Sequence, residues 1–165
     1  MPVMYSAPAD HDHALCIDDA LNKAAELCVR RGARLTHLRR RVLELVWQGH
    51  SAVKAYDLLE VLAREDRSAK PPTVYRALDF LIAHGLVHRL ESLNAFIGCP
   101  QPEASHEGQF LICGRCGWVG EFEASEIQAA IADQATGRGF AVDQQTVEVR
   151  GTCRTCLAEP TAAPA

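Results

Sequence analysis

The sequence predicts an α+β protein in two parts: an N-terminal winged helix-turn-helix domain over residues 17–95, then a small α/β domain over residues 108–157, joined by a hinge over residues 96–107. Three observations predict it. Apolar residues recur at helical spacing as far as Gly85 and at shorter, strand-like intervals after it. Two Cys-x-x-Cys pairs, Cys113/Cys116 and Cys153/Cys156, flank a strand–helix–strand pattern in the second half. The charge is also divided: residues 20–95 carry thirteen Lys/Arg against eight Asp/Glu, and residues 96–165 carry four against nine, within a net charge of −4. A chain of 165 residues that is 48% apolar can fill one ordinary core or two small ones. The second of two small cores benefits from a metal staple.

Residues 1–16, rich in Ala, Pro, Asp and His, and residues 158–165 read as disordered tails. His11, His13 and Cys16 in the first of these offer donors with no firm pattern, so incidental residues of a tail are the plainer reading. A helix follows from Ile17 to Arg31, with Leu21, Ala24, Ala25, Leu27 and Cys28 on one side and Gly32 to end it. Thr36 caps a second helix that buries Leu38, Val42, Leu45 and Val46 and stops near Gly49. A third runs through AYDLLEVLARED after Ser51, its stripe made by Leu58, Leu59 and Leu62.

Pro71-Pro72 opens the fourth helix, because proline is tolerated in a first turn, and Gly85 closes it. One residue every 100° puts Val74, Ala77, Leu78, Leu81 and Ile82 on one face and Thr73, Arg76 and Phe80 opposite, with Tyr75 at the margin. Such an outward face suits the reading of a DNA major groove, where Arg bonds guanine bidentately and Thr or aromatic groups meet thymine methyls. An exposed helix with an incidental Arg is the alternative. The cluster Arg30, Arg31, Arg34, Arg39, Arg40 and Arg41 is a candidate phosphate patch, although charge alone does not separate it from a solvated helix face. LVHRLE and NAFIGC, joined at Ser92-Leu93-Asn94, read as a hairpin that would be the wing. After the polar stretch QPEASHEG come strands in QFLIC and GWVGEFE, a helix over residues 123–139 and a strand in TVEVRGTC.

The two Cys-x-x-Cys turns can aim four soft thiolates at one tetrahedral ion with no open position for a substrate, so the spacing favours structural zinc over catalytic zinc. An odd total of seven cysteines argues against a secreted disulfide framework. The start has no basic region followed by an apolar run, and no stretch approaches bilayer-spanning length. The sequence therefore predicts a cytoplasmic protein with no membrane attachment.

Over residues 17–157 the chain resembles the ferric uptake regulator family of bacterial metal-dependent repressors, on KPPTVYRALDFL (70–81), AYDLL (55–59), HRLES (88–92) and FLICGRCG (110–117) with Cys153/Cys156. ASHEGQFLIC carries the single His106 where iron-sensing members have a His-His-Asp-His cluster, so the resemblance points to the zinc-sensing branch rather than to iron, manganese or peroxide sensors. It implies a homodimer formed through the C-terminal domain, a near-palindromic double-stranded DNA operator, no enzymatic activity and no small-molecule substrate. It implies two zinc ions per subunit: structural zinc on Cys113, Cys116, Cys153 and Cys156, and regulatory zinc on His88, Cys99, His106 and Glu121, which would cross-link the domains. Tyr56, Thr73, Tyr75, Arg76 and Arg39 are the implied DNA-binding residues. Thr36-His37-Leu38-Arg39 stands where relatives often read Thr-Pro-Gln-Arg, which removes a Gln from that set. A zinc hydrolase would need a nucleophile or HExxH arrangement that the sequence lacks, and a zinc-storage protein would have no use for Arg76 and its helix.

Overall fold

A computed structural model describes residues 13–49, 51–66, 69–103 and 108–159, which divide into two compact units, 13–103 and 108–159. The α+β class is as the sequence predicts. The first unit holds four helices: α1 (His13–Arg30), α2 (His37–Trp47), α3 (Ala55–Glu65) and α4 (Pro71–Ala83). A hairpin of β1 (Val87–Leu90) and β2 (Ala95–Gly98) completes its winged-helix architecture.

Helix α1 reaches back to His13, so residues 13–16, expected in a disordered tail, are helical. The reason is packing: Cys16, Ile17 and Ala20 extend the stripe of Leu21, Ala24, Leu27 and Cys28 against the core. Thr36 caps α2 as expected, its hydroxyl accepting the Arg39 N–H at 3.5 Å. Pro71 and Pro72 occupy the first turn of α4, and Val74, Ala77, Leu78 and Leu81 are buried. Leu78 and Leu81 are 0% exposed, and burying each contributes about 1.5–3 kcal/mol.

Helix α4 ends in a Schellman motif. The Gly85 N–H donates to Ile82 O at 2.9 Å, and the Leu86 N–H donates to Leu81 O at 2.9 Å. This closure needs Gly85 at φ +67, where a side chain would be strained. Leu86 then drops into the core and Val87 starts the hairpin. Its turn is a single 3-10 turn over Glu91–Leu93 followed by Asn94 in the left-handed conformation. Val53, just before α3, pairs with Phe96 through bonds of 2.9 and 2.8 Å and so adds a third, one-residue strand to the wing. Trp47 lies flat on the hairpin at Gly98, where a Cβ would fall 2.4 Å from the indole.

The second unit is a three-stranded sheet in the order β4-β3-β5, with β3 (Gln109–Cys113) central, β4 (Val119–Glu121) antiparallel to it and β5 (Val147–Gly151) parallel. Helix α5 (Ser125–Thr136) makes the crossover, and α6 (Arg154–Ala158) follows β5. Phe110 and Ile112 are buried in the sheet, whereas α5 buries no side chain and Val149 on β5 is 47% exposed. No helix among the described residues is long and apolar enough to cross a membrane.

Candidate metal centres and nucleic-acid face

The cysteine quartet is assembled by the β3–β4 turn and the β5–α6 junction. Cys113 ends β3, and the turn is closed by the Gly117 N–H on Cys113 O at 3.0 Å and the Cys113 N–H on Trp118 O at 2.8 Å. Cys153 caps α6, which carries Cys156, and the Gly114 N–H donates to Gly151 O at 2.9 Å to hold the two turns together. The Arg115 guanidinium also donates to Cys156 O. All four sulfurs lie within 4.8 Å of one another. The Cys116–Cys153 separation is 3.7 Å, far beyond a disulfide bond but close to the edge of an S4 tetrahedron around zinc, about 3.8 Å for Zn–S bonds of about 2.3 Å.

Electrostatics agree with a cation at this point. Backbone N–H groups of Cys116 and Cys153 directed at Cys113 lower its pKa to about 6, so it is the readiest thiolate. Burial and the surrounding thiols push Cys156 up to about 12. Four crowded sulfurs cannot all ionise together unless a cation offsets their repulsion, and a soft divalent ion meets that need. The residues therefore fit zinc.

The other predicted ligands are distributed as follows. His88 on β1 and the buried Cys99, just after β2, bring ligand atoms within 4.8 Å of each other. A tetrahedral zinc needs an N···S separation of about 3.6 Å. Cys99 is fixed by its N–H on Leu86 O at 3.0 Å. Glu121 ends β4 opposite Phe110. His106 and His11 lie outside the described residues.

On α4, Thr73, Tyr75 and Arg76 are exposed, Tyr75 by 50%, and Tyr56 at the start of α3 is 73% exposed. Phe80, expected on the same outward face, is instead covered. Its ring stacks on His84 with centroids 4.0 Å apart, and the Arg39 guanidinium lies 3.5 Å from the ring centroid. Through Phe80, Arg39 packs α2 against α4, and it also donates to Arg34 O in the α1–α2 connection at 2.6 Å. Arg41 is held by Glu44 and Glu65. Helical spacing alone missed this stack, because an aromatic at the edge of a face can be covered by a long side chain from the neighbouring helix.

The model of the Ferric uptake regulator family matches residues 30–150. The chain is 40% identical over 142 residues to the zinc uptake regulation protein of Escherichia coli (strain K12), covering 84% of this chain and 82% of that one. It is 30% identical over 128 residues to the zinc uptake regulation protein of Mycobacterium tuberculosis (strain ATCC 25618 / H37Rv), covering 76% and 95%. Among solved structures, a zinc uptake regulator complexed with zinc and DNA matches with a TM-score of 0.82 at 39% identity, over 86% of this chain and 95% of that one. Holo XcZur matches with a TM-score of 0.80 at 43% identity, over 86% and 99%.

Proposed function

The chain belongs to the ferric uptake regulator family, and from that premise we propose that it is a zinc-responsive transcriptional repressor that binds palindromic operators of zinc-uptake genes when zinc-loaded. It is a transcription regulator, not an enzyme. The observation that carries the reading is the outward face of α4. Thr73, Tyr75 and Arg76 stand exposed on a helix whose other face is locked into the core, in a chain resembling a regulator solved with zinc and DNA.

Cys113, Cys116, Cys153 and Cys156 would hold one zinc as a staple for the small second unit. His88, Cys99, His106 and Glu121 would hold the regulatory zinc, making two per subunit. Supporting the second set are the proximity of His88 and Cys99 and the mixed N/S/O donors, which bind less tightly than four thiolates and suit reversible sensing. Zinc, when bound, supplies a cross-link among these side chains. Arg76 would read a base edge with Thr73, Tyr75 and Tyr56 beside it. The protein would act as a homodimer in the cytoplasm. The exposed Val149 on β5 and Ile131 on α5 give this unit apolar surface that a second copy could cover, and two-fold symmetry matches a palindromic site.

The experiment is in vitro selection of duplex DNA by the full chain with zinc saturating, followed by anisotropy on the selected duplex across a zinc-buffer series. Tight, salt-dependent binding that appears only at buffered zinc levels is expected. Equal binding with and without zinc, or a response to iron or manganese instead, would overturn the reading.

A further inference from the structure

The segment that follows the wing, Cys99 to Glu103, is fastened to the C-terminal end of α4 at two points and to the end of α1 at a third. The Cys99 N–H donates at 3.0 Å to the carbonyl of Leu86, the residue whose N–H completes the Schellman closure. Arg31, at the end of α1, extends its two terminal nitrogens to two carbonyls: Nη1 donates to His84 O at 2.7 Å and Nη2 to Pro102 O at 3.3 Å. Arg30 pairs with Glu103 on the surface. Pro102 is buried, and its carbonyl lies 3.8 Å from where a Cβ on Gly85 would stand.

His84 O is a C-terminal carbonyl of α4 with no further turn of helix to satisfy it, and a cation there also meets the negative end of the helix dipole. A planar guanidinium can serve two carbonyls at fixed angles, whereas a lysine ammonium is a point charge. The surface pair Arg30–Glu103 is expected to contribute little by itself.

We propose that Arg31 is a positioning residue, bridging the end of the DNA-reading helix to the Cys99–Glu103 segment so that metal occupancy at Cys99 and the placement of α4 are coupled. The inference rests on the proposed function. With the bridge intact, Cys99 and α4 move as one body. Without it, only the Cys99 N–H on Leu86 O joins the segment to the end of α4, and the Pro102 side of the segment shifts with the metal without carrying the helix end with it.

The test uses full-length wild type, Arg31→Met, Arg31→Lys and Glu103→Gln. Affinity for the selected duplex is measured with zinc buffered high and with zinc chelated, and zinc affinity is measured without DNA. Arg31→Met is expected to keep its zinc affinity and its weak zinc-free DNA binding but to lose about fivefold or more of the zinc-induced gain. Exchange at the Leu86 and Cys99 amides should rise. Arg31→Lys keeps the charge and serves where Arg31→Met fails to fold; it should likewise keep the zinc-free affinity but lose the gain. Glu103→Gln, which removes the surface pair with Arg30, should resemble wild type. A full gain in Arg31→Lys, unchanged exchange in Arg31→Met, or an equal loss in both zinc states with a shallower salt dependence would overturn the bridge, the last by making Arg31 a phosphate contact. If wild type itself shows no zinc-induced gain, the proposed function falls and this inference with it; a gain equal in wild type and Arg31→Met overturns this inference alone.

Discussion

Replacing Arg39 with Ala should destabilise the winged unit rather than simply weaken DNA binding. The guanidinium lies 3.5 Å from the Phe80 centroid and donates to Arg34 O at 2.6 Å. A half-exposed cation–π contact contributes about 0.5–2 kcal/mol, and one side-chain bond to a carbonyl about 0.5–1.5 kcal/mol. A combined loss of about 1.5 kcal/mol with a urea m-value of about 1.5 kcal/mol/M lowers the unfolding midpoint by about 1 M. Arg39→Lys should recover little of this, because an ammonium cannot lie flat on the ring. The assay is urea unfolding followed by far-UV circular dichroism, paired with a salt series of duplex binding. A midpoint unchanged within about 0.2 M, with a salt slope reduced by about one phosphate's worth, would refute the packing role and restore Arg39 as a backbone contact.

Cys113→Ser should release the quartet's zinc and unfold or monomerise the second unit, which native mass spectrometry reads directly; a metal-free dimer would contradict the staple. Gly98→Ala places a Cβ against the Trp47 indole and should cost about 1–3 kcal/mol in thermal or urea unfolding, so an unchanged midpoint would mean that the ring moves aside freely. Arg76→Ala should lose about 1–3 kcal/mol of duplex affinity and relax preference at one base, and retention of both would remove the main support for α4 as the reading helix. Hydrogen bonding from Arg41 lowers the Glu65 pKa, so this stabilisation is present above the unfolded Glu value of about 4.3 and is lost as pH falls through the folded value. Carboxyl NMR titration of Glu65 should show the depression and Arg41→Met should abolish it; identical curves would refute the pairing.

Much of the fold was legible because its punctuation is local. Thr36 acts through a hydroxyl that reaches three residues ahead, Pro71-Pro72 and Gly85 act through their own backbone geometry, and all bound the helices where the sequence predicts. The cysteine quartet was legible because each pair spans one tight turn. What escaped depends on distant neighbours. The Val53–Phe96 pairing is one residue long and leaves no periodic trace, and α6 is too short for any pattern. Phe80 was assigned outward by spacing, yet Arg39 from another helix covers it. The Arg31 bridge ends on backbone carbonyls, which carry no residue identity to read. Residues 13–16 have the composition of a tail, yet Cys16 reaches the core and the helix runs on to His13.

The chain's two tryptophans fall one to each unit. Trp47 is 8% exposed against the wing, and Trp118 gives its carbonyl to the Cys113 N–H beside the thiol cluster. The protein thus carries two intrinsic optical reporters with separate addresses. Emission from a Trp47→Phe chain follows the cysteine turn as metal is chelated away, and emission from a Trp118→Phe chain follows the wing as DNA is added. Metal loss and DNA engagement can therefore be timed independently in stopped flow without attaching a dye.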